Sequence, residues 1–295
     1  MQDHPPGLGL AGRLADEIRT LASRALAHGL GTAAAHEARA RLRRPVDYMR
    51  HAEFETVLRW LDLRDGMQVV DFSGPQWLTL ALAARHPGVS FVYTNIIDAE
   101  LAVYREIAQA LALPNLVLRQ ADMRALDMPD GSVDRALCVS VLEHVYPEVG
   151  GDAQALAELH RVLAPGGALM LTMPFKAVRH VQRVNAAVYE RAAGADTFYA
   201  REYDRAQLDA LLAGSPLALA AQSHIHELDG PLALDAIGWG PRRGRLLSRL
   251  ALKLVVGVER IARVDLERQL AQRHLRLSAV PQPRLVNIGL RLERR

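Results

Sequence analysis

Hydrophobic positions follow two rhythms along the chain, and the switch between them marks the elements. Residues 67–72 (Met67-Gln68-Val69-Val70-Asp71-Phe72) form a short apolar run bounded by turn signals, which predicts a buried strand. Segments 90–94, 115–120, 133–140 and 168–173 repeat that pattern. Between them, segments 78–85, 99–112 and 152–163 carry apolar residues at helical spacing, stopped by Pro114 and by Pro165-Gly166-Gly167. Strands alternating with helices of this length predict βαβ units, a parallel sheet covered on both faces and therefore a doubly wound α/β fold.

Outside this block the rhythm is helical at first and then mixed. Residues 8–44 are rich in Ala, Leu and Arg and read as one or two helices, ended by Arg43-Arg44-Pro45. A further helix is expected over 48–61, stopped near Asp65-Gly66. After the fifth strand, 175–200 is expected to form a helical cover. Residues 203–213 read as a helix, 217–228 as a strand, 243–277 as strongly helical and 284–292 as a last strand. No internal repeat or low-complexity tract interrupts this order.

Composition narrows the picture. Half of the 295 residues are hydrophobic, enough for a sizeable core. The single cysteine, Cys138, excludes an intrachain disulfide and a cysteine-built zinc site, which fits a reducing compartment, and a cytoplasmic location is expected. The N-terminal residues lack the pattern of a signal peptide. The longest apolar run, about 250–258, is interrupted by Lys253 and falls short of the roughly 20 residues of a membrane span. The net charge of +3 hides an asymmetry. Residues 241–295 hold 14 basic and 4 acidic side chains, a local +10, against 22 and 29, a local −7, in the first 240.

In open α/β sheets ligands bind beyond the carboxyl ends of the strands, where the chain order reverses. The first strand ends in Asp71-Phe72-Ser73-Gly74-Pro75-Gln76-Trp77, which lacks the G-x-G-x-x-G pattern of a dinucleotide cradle. A nicotinamide oxidoreductase is disfavoured for that reason, and a ligand without phosphates asks less of such a turn.

Three further stretches carry a resemblance. They are Asp122-Met123-Arg124-Ala125-Leu126-Asp127-Met128-Pro129-Asp130-Gly131-Ser132-Val133-Asp134, Ser140-Val141-Leu142-Glu143-His144, and Arg161-Val162-Leu163-Ala164-Pro165-Gly166-Gly167. In this order and spacing they resemble the class I S-adenosylmethionine-dependent methyltransferases, especially the broad small-molecule group, over about residues 50–230. The resemblance implies a Rossmann-like seven-stranded sheet with a reversed final strand, made here by 217–228 and 284–292. It implies a helical N-terminal extension over 1–47, a methyltransferase-like domain over 48–295 and a mostly helical basic insertion at 229–282.

The same resemblance assigns roles. The loop that holds Asp71, Ser73, Gly74 and Pro75 would face the methionine part of S-adenosylmethionine, with Asp71 near its amino group. Asn95, followed by Ile96, stands where the family usually has an acidic residue gripping both ribose hydroxyls. Asp122 would accept from the adenine amino group, and Met123 would cover the ring. Ser140 and Val141 would flank the sulfonium, and S-adenosylhomocysteine would be the product. Ser73, Pro75 and Trp77 occupy places where the family usually has glycine, and Asn95 has no charge. These departures keep open a relative of the fold that binds cofactor, or serves as a scaffold, without turnover.

Methyl transfer needs positioning and, for a hydroxyl or acidic carbon, a base. His144, just beyond strand four, is the candidate base, against a reading in which it only orders its loop. Ser140 replaces the first acid of the metal-holding pattern of some relatives, so no metal is expected. Elsewhere the ordinary readings are preferred. Tyr48 and His51 read as surface helix, Asp127 and Asp130 as turn chemistry, and Cys138 as core. His224 and His226, sharing one strand face, read as a solvated face or a core pair, against a pocket or metal site. The basic helix at 242–276 has three readings in descending order: a cover or dimer element, peripheral contact with an anionic membrane, and nucleic-acid binding, which is not expected. The expected partner is a small-molecule acceptor of unspecified O, N or C atom.

Overall fold

The computed structural model describes residues 8–189, 196–228 and 265–295. Helices α1 (Gly9–Ala27), α2 (Thr32–Arg43) and α3 (Tyr48–Trp60) precede the sheet. Strands β1 (Gln68–Phe72), β2 (Ser90–Asn95), β3 (Leu116–Gln120), β4 (Val133–Val139) and β5 (Leu163–Pro174) are separated by α4 (Gln76–Arg85) after β1, α5 (Asp98–Ala110) after β2 and α6 (Gly151–Val162) after β4. There follow β6 (His180–Val184), β7 (Thr197–Glu202), α7 (Arg205–Ala213), β8 (Ala218–Glu227), α8 (Leu266–His274), β9 (Leu275–Ser278) and β10 (Leu285–Glu293).

The central sheet runs β3-β2-β1-β4-β5-β10-β8-β9. The first five strands are parallel; β10 runs antiparallel between β5 and β8, and β9 closes the edge. The chain order reverses between β1 and β4. The strand period of two explains the layers. Val69, Leu137 and Val139 face one apolar cluster with Leu14, Ile18, Leu78 and Ile107, so α1, α2, α4 and α5 share that face. Val70, Phe72, Ala136 and Cys138 face the other, with Leu156, Leu159 and Leu171. Cys138 is a buried core residue, as read from the sequence.

Helix α3 crosses the sheet at β10 so closely that a Cβ on Gly289 would strike the Thr56 methyl and touch the Trp60 ring. The expected surface character of its start is corrected here. Tyr48 and His51 are buried, because Ile225, Ala271 and Leu275 form a third cluster over them. The Tyr48 hydroxyl donates to Glu227 at 2.7 Å, and burial together with the Arg268 charge pushes the His51 imidazole down to about 4.

Two more expectations change. Residues 175–200 hold the antiparallel pair β6–β7, and not a helical cover, since β-branched and aromatic residues at Val181, Val184, Thr197, Phe198 and Tyr199 favour strand. The sheet has eight strands rather than seven, because Leu275–Ser278 ends the helix expected through 277 and pairs with β8. Most of the basic segment 242–276, with the membrane and dimer readings attached to it, lies outside the described residues; only α8 and the start of β9 fall within them. No helix among the described residues is long and apolar enough to cross a membrane.

Candidate active site

The carboxyl ends of β1, β2, β3 and β4 surround a cavity of about 380 Å³, and a second of about 240 Å³ adjoins it. The two share Arg50, Ser73, Gln76 and Ser140 as lining. Both are near or within the size range of small-molecule sites, and they lie at the point where strand order reverses. The larger one brings together Ser73, Asn95, Ile96, Asp122, Met123, Ser140, Val141 and His144. Gly74 and Pro75 line the smaller one, with Arg41 and Arg50.

Two serines are held in strained backbone at this floor. Ser73 has φ of 54° and Ser140 has φ of 52°. For a residue with a Cβ this left-handed geometry costs about 1–3 kcal/mol and persists only where the surroundings over-determine it. Here they do. The Ser73 amide and hydroxyl both reach the Thr94 carbonyl, at 2.8 and 3.1 Å. The Ser140 amide donates to Thr172 at 2.9 Å, and its hydroxyl donates to Glu53 at 2.5 Å. Ser73 thus keeps the backbone that a glycine would adopt at this place in the loop.

Asp71 lines neither cavity. Its carboxylate turns under its own loop, accepting from the Gly74 amide at 3.0 Å and from the Thr79 hydroxyl. Burial pushes it up to about 7. A Cβ on Gly74 would come within 2.7 Å of Asp71 Oδ1, so this glycine is required by close approach. Trp77 does not fill the larger cavity. Its ring is buried beside the smaller one, and its indole N–H donates to Glu37 at 3.0 Å.

At the β2 and β3 ends, carboxylates are placed by neighbours. Asn95 donates to Glu100 at 2.9 Å and accepts from the Ile97 amide, so the uncharged residue holds an acid of the first turn of α5 against the cavity. Asp122 is gripped by Arg124 through Nε and Nη2, which holds its carboxyl below the usual range. Arg124 also donates to the Tyr146 carbonyl at 2.6 Å, which ties the β3 loop to the β4 loop.

Beyond β4, a helical turn (Leu142–His144) presents His144. Its Nδ1 lies 2.9 Å from the Tyr199 carbonyl. A carbonyl only accepts, so in the neutral imidazole Nδ1 carries the proton and Nε2 the lone pair. The Tyr189 and Tyr199 rings stand edgewise to it at 5.9 and 4.8 Å. Glu143 is buried beside it, 3.9 Å from Nε2, and burial pushes the Glu143 carboxyl up to about 8.

Sequence reasoning did not find Arg50, Glu53, Glu100, Arg124, Tyr189 or Arg201. Arg50 lies on the helix start already marked by Tyr48 and His51, and Glu100 on an i, i+5 spacing from Asn95; these were the available signals. His224 and His226 are buried on one strand face, with the His224 ring 6.1 Å from Phe175, and line neither cavity. Asp130 pairs with Arg161 at its turn. Among the described residues, no group of three or more His, Cys, Asp or Glu is arranged to hold a metal ion.

A family model described as a methyltransferase domain matches residues 71–171, from the loop-forming Asp71 to the middle of β5. The chain is 36% identical over 94 residues to the demethylmenaquinone methyltransferase of Thermus thermophilus, covering 32% of this chain and 40% of the relative. It is 32% identical over 114 residues to an uncharacterised protein of a Streptomyces fradiae transposon, covering 39% and 32%. The chain thus spans 32% to 40% of the length of these curated relatives. Among solved structures, the YcgJ protein of Bacillus subtilis superposes with a TM-score of 0.51 at 16% identity, covering 83% of this chain and 99% of that one. The cyclase SpnF superposes with a TM-score of 0.50 at 17% identity, covering 84% and 82%; both show the fold alone. Residues 71–171 thus match a methyltransferase domain, and around them the parallel sheet with its antiparallel β10 and switch-point cavity has the class I methyltransferase arrangement.

Proposed function

We propose that the protein transfers a methyl group from S-adenosylmethionine to a small organic acceptor. The observation that carries this reading is the gathering, at one switch-point cavity, of Asp122 and Met123 from the loop after β3, Asn95 at the end of β2 with Glu100 of α5, and Ser73 and Ser140 from the strained floor. The residues suit an adenosyl group. Glu100 and Asn95 offer an acceptor pair for a ribose diol, Asp122 an acceptor for an exocyclic amine, and Ile96 and Met123 apolar faces for a ring. Arg41 and Arg50 line the smaller cavity, each already paired with an acid, Glu37 and Glu53 respectively. When bound, the cofactor supplies an electrophilic methyl carbon.

What the chain itself must do is orient the acceptor and exclude water, which supplies up to roughly 7–11 kcal/mol of a barrier. His144 Nε2 receives the acceptor proton where the acceptor has one to lose. Asp71 acts by shaping the loop under the amino-acid end. Calorimetric titration with S-adenosylhomocysteine tests the cofactor half: one site per chain and a thermal shift are expected. Absence of both at millimolar ligand overturns the reading. Cofactor binding without methyl release to any acceptor would favour the relative without turnover.

A further inference from the structure

The wall of the cavity around His144 is chemically unlike the rest of it. Three of the chain's seven tyrosines meet there. Tyr146 and Tyr189 line the cavity together with Val141 and Val145, and Tyr199 packs edgewise on the histidine ring. Tyr189 takes φ of 52°, an unfavourable backbone, and its ring stands at 73° to the imidazole. Tyr146 and Tyr189 remain 51% and 45% exposed, so both rings still have surface to give to a ligand. Aromatic rings favour a partner that is itself planar and aromatic, by stacking or edge contact, or a cation.

The charges decide between these two. Of the carboxylates beside His144 and the β3 loop, Asp122 is answered by Arg124 and Glu53 by Arg50, and burial favours the uncharged form of Glu143; Glu100 is held by the Asn95 amide at the β2 end of the cavity. An ammonium acceptor at this wall would therefore approach Arg50 and Arg124 with no unmatched negative charge beside His144 to receive it. An anionic acceptor would find both guanidinium groups already engaged. A neutral ring fits. The histidine narrows the choice again, because the Tyr199 carbonyl fixes the Nδ1–H tautomer and leaves Nε2 basic.

We infer that the acceptor is a neutral planar aromatic bearing a ring hydroxyl, seated against Tyr146 and Tyr189, whose proton passes to His144 Nε2. This rests on the methyl-transfer reading above. The acceptor oxygen forms the new bond to the methyl carbon. The carbon–sulfur bond breaks with its pair left on sulfur, and the hydroxyl proton resides on His144.

The test measures binding, apart from activity. The protein is first titrated with S-adenosylhomocysteine. The loaded protein is then titrated with four ring probes of similar size: para-nitrophenol, para-nitroaniline, cyclohexanol and cyclohexylamine. Para-nitrophenol should bind at least about tenfold more tightly than either cyclohexyl probe, a difference of about 1.4 kcal/mol. Tyr189→Ala should lose most of that preference and Tyr189→Phe should keep it. The visible absorption of bound para-nitrophenol, which reports its ionisation, should show more phenolate in the wild type than in His144→Asn, whose amide can still donate to the Tyr199 carbonyl.

If S-adenosylhomocysteine fails to bind, the methyl-transfer reading falls and this inference falls with it. If it binds but a cyclohexyl probe equals para-nitrophenol, the aromatic acceptor is overturned while the reading stands. Equal binding of para-nitroaniline, or unchanged absorption in His144→Asn, overturns the ring hydroxyl.

Discussion

The Ser140 hydroxyl lies 2.5 Å from Oε1 of Glu53, a carboxylate on α3 that is 87 residues earlier in the chain. The same oxygen accepts from Thr172 on β5 at 3.2 Å and from Asn287 on β10 at 2.7 Å, and Oε2 accepts from Arg50 at 2.5 Å. One buried acid therefore joins three strand ends to the helix that covers them. Because Ser140 spends its proton on Glu53, it presents only lone pairs to the cavity. Removing a buried, paired charge leaves its partners unanswered and costs about 3–5 kcal/mol. Urea unfolding of Glu53→Ala is expected to show a loss of that size, and Glu53→Gln a smaller one. A loss under about 1 kcal/mol for the alanine variant would contradict this role.

Asp122 and Arg124 make a second testable pair. The carboxylate is about one-third exposed and faces the cavity, while the guanidinium links it to the Tyr146 carbonyl. If Asp122 accepts from the adenine amine, Asp122→Ala should weaken S-adenosylhomocysteine binding by about 1–3 kcal/mol, read by calorimetry. Arg124→Met removes only a partly exposed ion pair and should change affinity by less than about 1 kcal/mol. Equal effects of the two variants would show that the pair matters for loop shape and not as a ligand contact.

How far the fold was legible follows from burial. Parallel strands buried on both faces give unbroken apolar runs, so Val69-Val70-Asp71-Phe72 and Ala136-Leu137-Cys138-Val139 announced β1 and β4 without ambiguity. Strand β6 reads His180-Val181-Gln182-Arg183-Val184 and is only partly buried, so its polar positions gave no alternation that separates strand from surface helix. The β2–β4 side of the cavity was legible because Asn95 ends β2 and Asp122 and Ser140 stand within two residues of the ends of β3 and β4, where the strand fixes the position. Glu53 and Arg50 were not legible. Their positions follow from β10 and α8 closing on α3 from more than 200 residues away, and no local pattern records that. Asp71 shows the opposite limit: its place near the end of β1 was legible, but its side chain turns toward Thr79 and lines neither cavity.

Glu143 gives a pH prediction. Its carboxyl is pushed from 4.5 to about 8, first by burial, with Arg50 and Arg201 opposing and Glu53 adding to the rise; His144 adjoins it. As pH rises from 4.5 toward 8 the unfolded chain gives up this proton and the folded chain keeps it. The folded state then binds more protons, so this group's contribution to stability falls with rising pH, by up to about 1.4 kcal/mol per pH step of one. Asp71, pushed up to about 7, slopes in the same direction. Glu143→Gln should flatten the decline measured by urea unfolding across this window while Asp71 keeps part of it. An unchanged slope would show that Glu143 is ionised in the folded protein.

Arg201, on β7, holds the loop that presents His144. Its buried guanidinium donates to the carbonyls of Glu143 at 3.2 Å, Val145 at 2.9 Å, Pro147 at 2.5 Å and Glu148 at 2.7 Å, and it lies over the Phe198 ring. Tyr199, two residues before it, supplies the carbonyl that fixes the His144 tautomer. One strand thus sets both the path of the loop and the protonation of the ring that it carries. A planar fork reaches four carbonyls where an ammonium cannot, so Arg201→Lys should fail to rescue what Arg201→Met loses. Both variants should bind S-adenosylhomocysteine with nearly wild-type affinity, since Arg201 lines neither cavity, yet lose turnover by 10-fold to 100-fold, about 1–3 kcal/mol of barrier. Steady-state kinetics set beside calorimetry separates the two quantities. A parallel fall in cofactor affinity and turnover would make Arg201 a general support of the fold, and full activity in the lysine variant would show that charge alone suffices.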